Sequence, residues 1–298
     1  MRELKSKNTI IQIAECWEEL SFDQKLFTFE VLAEVISGKY NANPHRALVE
    51  LFIEFTGYKP SKKYASDYDR ESINLFLLQQ AEKIDFIFKI NTESNIIIPK
   101  YEFRTNPFPY IAIGNEKYEG KHFELDITAK TDITAREFVD CIDLLAGIDK
   151  MKSEKEKEEC VNQLCAILYP RTSDYIQNMV SGHNKSMQKL NPVVKFGIVY
   201  WFTGIYRFYT EHEIYSLLFN SSKKQDDDED KVRLSDEVIL LLEKEGYESP
   251  DNMNINKYFD AQVKHLKDVI GKALSEGLTA FQIAQKTKID IITINKLS

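Results

Sequence analysis

The chain has 298 residues, 43 % hydrophobic and 29 % charged, the mix of a globular fold and about two domains' worth of length. Its 11 glycines and 8 prolines exclude collagen-like and Gly/Pro-rich disordered chains and favour helices over many short strands. A formal charge of −8 argues against nucleic acid as a general partner, because phosphate contacts need clustered cations.

In chain order, Ile10 to Trp17 is a short apolar-periodic stretch. Ser21-Phe-Asp-Gln24 has the form of a capping box and predicts a helix to Ile36 that buries Phe22, Leu26, Phe29 and Leu32. His45 to Phe55 and Arg70 to Phe86 predict two more helices. From Asn91 to Ala129 the apolar runs become short, β-branched or alternating (Ile96 to Ile98, Tyr110 to Ile113, His122 to Ile127) and are separated by Asn, Pro and Gly. They predict a small β element of two or three strands. Thr134-Ala-Arg-Glu137 is a second capping box, with Ile133 and Phe138 at the positions of a hydrophobic staple. The helix it starts is expected to reach Leu145, before Gly147. Ser153-Glu-Lys-Glu156 predicts the next cap, on a helix that buries Val161, Leu164, Cys165 and Leu168 and stops at Pro170. A further helix is expected over Asp174 to Val180.

An aromatic helix follows, roughly Pro192 to Phe219, carrying Phe196, Tyr200, Trp201, Phe202, Tyr206, Phe208 and Tyr209. Lys195 and Arg207 cut its uncharged stretch far below the ~18–20 residues of a bilayer crossing, so it reads as a core helix. Tyr200, Trp201, Tyr206, Phe208 and Tyr209 are its candidate interface residues, since rings supply binding energy at interfaces as they do in cores. Residues 221–232 form an acidic linker containing the run Asp226 to Asp230. Helices are expected over Leu234 to Glu245 and Ile255 to Glu276. The predicted organisation is a body of residues 1–220 with a β element near 91–129, the linker, and a helical module over 233–298. The fold class is mainly α with a small β-sheet insertion.

The module ends in a helix-turn-helix pattern. Thr279 is placed to cap the first helix, Ile283 and Ala284 to give its inner face, and Ile289 to fill the turn. Asp290 is placed to cap the second helix, and Ile294 and Leu297 to pack it down. Thr279, Gln282, Ile291, Ile292 and Lys296 are the candidate DNA-contacting residues. Lys288 stands where a turn glycine is usual, Ile291 and Ile292 offer no hydrogen bond to a base edge, and a helical hairpin used only for packing is the competing reading.

The linker also fits part of a calcium loop, with Asp226, Asp228, Asp230 and Glu237 at ligand positions. Lys231 replaces the turn glycine and Arg233 the following aliphatic, so the run reads as a solvated linker. Cys16, Cys141, Cys160 and Cys165 form no Cys-x-x-Cys pair and read as free thiols in a reducing interior. The start of the sequence leads into no signal-peptide core. His45, His122, His183, His212 and His265 show no local metal spacing. Gly-x-Ser-x-Gly, Gly-x-Gly-x-x-Gly and P-loop motifs are absent, so neither catalysis nor a cofactor is expected.

The stretch Glu15 to Phe27, with Trp17, Leu20, Ser21 and Gln24, resembles the Trp-x-x-Leu-Ser/Thr-x-x-Gln opening of a protein family carried by phages and prophages of Bacteroidetes. Similarity continues through Phe123-Glu-Leu125, Leu164 to Arg171 and Tyr215 to Phe219, and covers roughly residues 10–220. The resemblance implies a structural or virion and tail-assembly protein, in the particle or the host cytoplasm. It implies contacts with other phage structural proteins or copies of itself, and no membrane. The alternative from the residues themselves is a DNA-binding regulator or packaging factor using residues 279–298.

Overall fold

The computed structural model describes residues 1–6, 9–58, 66–91, 93–94, 96–126, 129–171, 183–220, 249, 251–287 and 289–298. They form a mostly helical protein with short antiparallel strand pairs and a C-terminal helix cluster. No described helix is long and apolar enough to cross a membrane. The expected helices over 174–180 and 234–245, and the acidic linker 221–232, lie outside the described residues.

The chain divides into two compact units, one of Met1–Pro107 with Asn191–Trp201, the other of Phe108–Leu190 with Phe202–Ser298. The described residues 251–287 and 289–298 therefore fall in the same unit as those of 108–190, where a separate helical module over 233–298 was expected. In the first unit, β1 (Arg2–Ser6) and β2 (Thr9–Ile13) pair as a hairpin with Arg2 opposite Ile13. No strand was expected there; the β-branched Thr9, Ile10, Ile11 and Ile13 suit one. Helices α1 (Phe22–Ile36), α2 (His45–Thr56) and α3 (Asp67–Ala81) follow, then the pair β3 (Phe88–Asn91) and β4 (Ile96–Pro99). The Ser21 and Gln24 box that starts α1 is present in both directions. Phe29 and Leu32 are fully buried, but Phe22, at the first position of the helix, is 54 % exposed. Trp17 anchors this core, stacked on Phe29 at 5.0 Å and 4.6 Å from Phe103.

In the second unit, β5 (Tyr110–Ile113) and β6 (Glu116–Glu119) pair through a two-residue turn in which Gly114 takes φ +62°, the left-handed region that such hairpin turns require. Strands β7 (Phe123–Leu125) and β8 (Ala129–Thr131) also pair. The β element thus comprises three separate two-stranded ladders over 88–131, distributed over both units, where one element of two or three strands was expected. Helix α4 (Ala135–Lys150) begins at the Thr134 and Glu137 box and runs through Gly147. Helix α5 (Glu154–Leu168) starts after Ser153, whose side chain makes no capping bond. Helix α6 (Pro192–Glu211) contributes its residues up to Trp201 to the first unit and the rest to the second. The aromatic segment breaks after α6, where His212 Nδ1 accepts from the Ile214 N–H at 3.3 Å, and α7 (Ser216–Asn220) is separate.

Because the Thr134 box forms and the Ser153 box does not, Thr134→Ala and Ser153→Ala should differ. Loss of a working N-cap costs about 1 kcal/mol, so T134A should lower the urea midpoint and S153A should leave it nearly unchanged.

Candidate functional site

The C-terminal helices are built from local signals. Helix α8 (Ile255–Ser275) starts at Asn254, whose side chain accepts from the Asn256 N–H at 2.9 Å. It ends at Gly277, φ +82°, with Gly277 N–H donating to Leu274 O at 2.9 Å and Leu278 N–H to Ala273 O at 3.1 Å. This is the paired bonding of a Schellman stop, for which glycine supplies the left-handed residue. Helix α9 (Ala280–Thr287) is capped reciprocally: Gln282 N–H donates to Thr279 Oγ1 at 3.3 Å, and Thr279 N–H to Gln282 Oε1 at 2.9 Å. Thr287 Oγ1 donates back to Ile283 O at 2.8 Å and accepts from Ile289 N–H at 3.3 Å, which shapes the turn into α10 (Ile291–Leu297). Ile270, Ile283 and Ile294 are fully buried, Ile289 is 9 % exposed, and Leu266, Leu278 and Leu297 pack around them.

Ile292 is 61 % exposed, Phe281 62 % and Ile291 39 %. Lys286, Asn295 and Lys296 are exposed as well. Of the five expected DNA-contacting residues, Ile291, Ile292 and Lys296 lie together on the outside of α10. Thr279 and Gln282 cap α9. Asn295 went unnoticed in the sequence, although its spacing from the inward-facing Ile294 and Leu297 marks it as outward. From Ile255 to the end the chain carries seven lysines against four carboxylates, a charge of +3 within a chain of −8.

The expected interface residues are placed differently. Tyr200 (4 % exposed), Trp201 (0 %) and Tyr209 (0 %) are covered by the chain itself, and Tyr206 and Phe208 are half-buried. Tyr200 donates to Lys100 O at 2.8 Å and stacks on Tyr101 at 4.4 Å. Tyr209 donates to Asn256 Oδ1 at 2.5 Å and packs on Phe259 at 5.1 Å. Intramolecular packing covers Tyr200, Trp201 and Tyr209 and leaves Tyr206 and Phe208 partly accessible.

The second unit also holds a polar cleft of about 1000 Å³, lined by residues that include Tyr118, Lys121, Asp132, Glu137, Arg171 and Asp251. At its base Lys121 Nζ lies 2.8 Å from Glu137 Oε1, the two side chains 9 % and 1 % accessible. Glu137 Oε2 accepts from the Thr134 N–H at 2.9 Å, so one carboxylate serves both the helix cap and the ion pair. Burial pushes the Glu137 carboxyl above its usual range, and the Lys121 ammonium opposes that. On the wall, Tyr118 donates to Glu116 and Arg171 Nη2 donates to Ser186 Oγ at 3.0 Å and lies 3.5 Å from Glu116 Oε2. Each of these charges is held by a neighbouring group. Beside Tyr118, at 4.7 Å between rings, sits buried His183. Its Nε2 lies 2.8 Å from Tyr169 O and is the donor, while Nδ1 is buried with no hydrogen-bond partner among the described residues. Burial lowers the His183 pKa, with Arg171 nearby adding to the effect against the Tyr169 hydrogen bond.

The cysteines are free, and Cys141, Cys160 and Cys165 are buried. Burial pushes the Cys141 and Cys160 thiols up, the opposite of an activated nucleophile. Among the described residues no three His, Cys, Asp or Glu side chains are placed to hold a metal ion. The calcium reading of Asp226, Asp228, Asp230 and Glu237 lies outside the described residues.

No family model, curated protein or solved structure matches the chain. That finding overturns the description as a bacteriophage virion or tail-assembly protein: the residues quoted for the resemblance are capping and core residues such as Ser21, Gln24, Trp17 and Leu164, which any helical fold of this pattern needs.

Lys121→Met should leave Glu137 buried without its cation and cost about 3–5 kcal/mol in urea unfolding. Lys121→Met with Glu137→Met should recover most of that loss, short of the cap that Glu137 supplies. His183 predicts a pH dependence. Its folded pKa lies below the ordinary 6.5, so below that pH the unfolded chain binds the extra proton, and stability should fall as pH drops from 6.5. Arg171 does not titrate there, and Glu116, held low by Tyr118 and then Arg171, titrates below this window. His183→Gln should flatten the slope in thermal melts between neutral and mildly acidic pH.

Proposed function

We propose that the chain is a DNA-binding protein whose contact surface is the helix-turn-helix formed by α9 and α10 on the second half of α8. The observation that carries this reading is the two-sidedness of α10. Ile294 and Thr293 are turned into the unit at 0 % and 1 % exposure, while Ile291, Ile292, Asn295 and Lys296 face solvent. A hairpin serving only to complete a core has no use for Ile292 and Phe281 at more than 60 % exposure, since burying them would contribute roughly 1.5–3 kcal/mol each. Two helical turns suffice for the second helix, because base-edge contacts come from its N-terminal residues. The lysines suit phosphate contacts: Lys257, Lys264, Lys267, Lys272, Lys286 and Lys296 are all exposed. The role is binding, not catalysis, and the cleft at Lys121 and Glu137 is read as structural.

Fluorescence anisotropy of the full chain with labelled duplex DNA tests this. Binding should saturate and weaken with salt, with a log–log slope of about −0.9 per phosphate neutralised. Lys286→Glu with Lys296→Glu should weaken binding to every sequence and make the slope shallower, while leaving the melting temperature in place. Absence of saturable, salt-dependent binding at low ionic strength overturns the proposal.

A further inference from the structure

We infer that the exposed face of α10 selects A·T over G·C base pairs from the major groove, recognising the thymine methyl group and the adenine Hoogsteen edge. The inference rests on the DNA-binding reading and adds its sequence class. At about 100° of rotation per residue, the inward-facing Thr293, Ile294 and Leu297 fix the opposite direction, which falls between Asn295 and Ile292. These two side chains are therefore the most outward of the helix, and Ile291 and Lys296 flank them. Ile292 is 61 % exposed and Ile291 39 %, and Asn295 is exposed one helical turn further along.

The chemistry of this face is one-sided. An apolar side chain in the major groove gains from the C5 methyl of thymine, and an asparagine amide matches the N7 acceptor and N6 donor of adenine. Guanine is read by a paired donor such as Arg or Lys aimed at O6 and N7. Here the lysine of the helix, Lys296, is at the edge of the face, where it suits a phosphate. The exposed isoleucines, which offer no hydrogen bond to a base edge, are thus the discriminating groups. Charge complementarity supplies the attraction, since the stretch from Ile255 to Ser298 carries +3.

Anisotropy titrations of the full chain against short duplexes of equal length decide the matter: alternating A·T, the same duplex with deoxyuridine in place of thymine, G·C, and G·C with 5-methylcytosine. The A·T duplex should bind about tenfold tighter than G·C. Deoxyuridine, which removes only the methyl, should lose several-fold of that, and 5-methylcytosine should raise G·C binding. Asn295→Ala and Ile292→Ala, both at exposed positions, should reduce the preference while keeping salt-dependent binding. Equal affinity for A·T and G·C overturns the inference and leaves the DNA reading standing. An A·T preference untouched by deoxyuridine and by both variants also overturns it, in favour of readout by groove shape. Failure to bind any duplex overturns both.

Discussion

The ring of Phe259 is fully buried and meets Tyr209 at 5.1 Å, Tyr215 at 5.5 Å, and Phe138 and Phe219 at 5.7 Å. Through these contacts the first half of α8 is part of the core of the second unit. The backbone strengthens the seat: Ala135 N–H donates to Met253 O at 2.8 Å, and Ile255 N–H to Ile133 O at 3.1 Å. These bonds tie the start of α8 to the start of α4, the two helix entries sharing one short antiparallel bridge between Thr134 and Asn254. An α-helix of 21 residues transmits this placement along its length, so the position of Ile270, and of the hairpin clustered on it, is set by the aromatic contacts at the other end.

Polar groups in that region are handled in the same economical way. Tyr209, buried, and Tyr215, half-buried, send their hydroxyls to Asn256 at 2.5 Å and Asp260 at 2.7 Å, both on the first turns of α8. Burial pushes both phenols up, aided at Tyr215 by the Asp260 carboxylate, so they remain protonated donors. Glu137 does double duty at the start of α4. A hydrogen-bonded buried pair of this kind contributes less to net stability than to holding one arrangement, because the desolvation of two charges offsets most of their attraction.

What could be read from the sequence is what is encoded within a few residues. Both the Ser21 and Thr134 capping boxes are legible because donor, acceptor and spacing sit inside four positions. The helix-turn-helix is legible because Thr279, Ile283, Ile289 and Ile294 repeat a pattern within one short stretch. The Ser153 box has the same letters and does not close, since pattern permits a bond without compelling it. The N-terminal hairpin was illegible because Ile10 to Trp17 suits more than one period. The grouping of α8 with α4 depends on Met253 meeting Ala135, over a hundred residues apart, and the Lys121 to Glu137 pair joins a loop to a helix. No local signal marks either. The exposure of Asn295 is encoded differently: it follows from the inward placement of Thr293, Ile294 and Leu297 on the opposite side of α10.

Net charge is a bulk quantity and says little about the field at one helix. A net −8 disfavours nucleic acid as a general partner, yet exposed charges separated by more than roughly 8–10 Å are largely screened at ordinary salt. A phosphate near α10 responds to exposed Lys286 and Lys296 far more than to carboxylates beyond that distance. The same screening makes the attraction fade with added salt, whereas a methyl contact made by Ile292 does not depend on ionic strength in that way. If α10 reads bases as inferred, raising the salt should weaken A·T and G·C binding in parallel and leave their ratio in place. Affinity then comes from lysines of α9 and α10, and selectivity from the exposed face of α10.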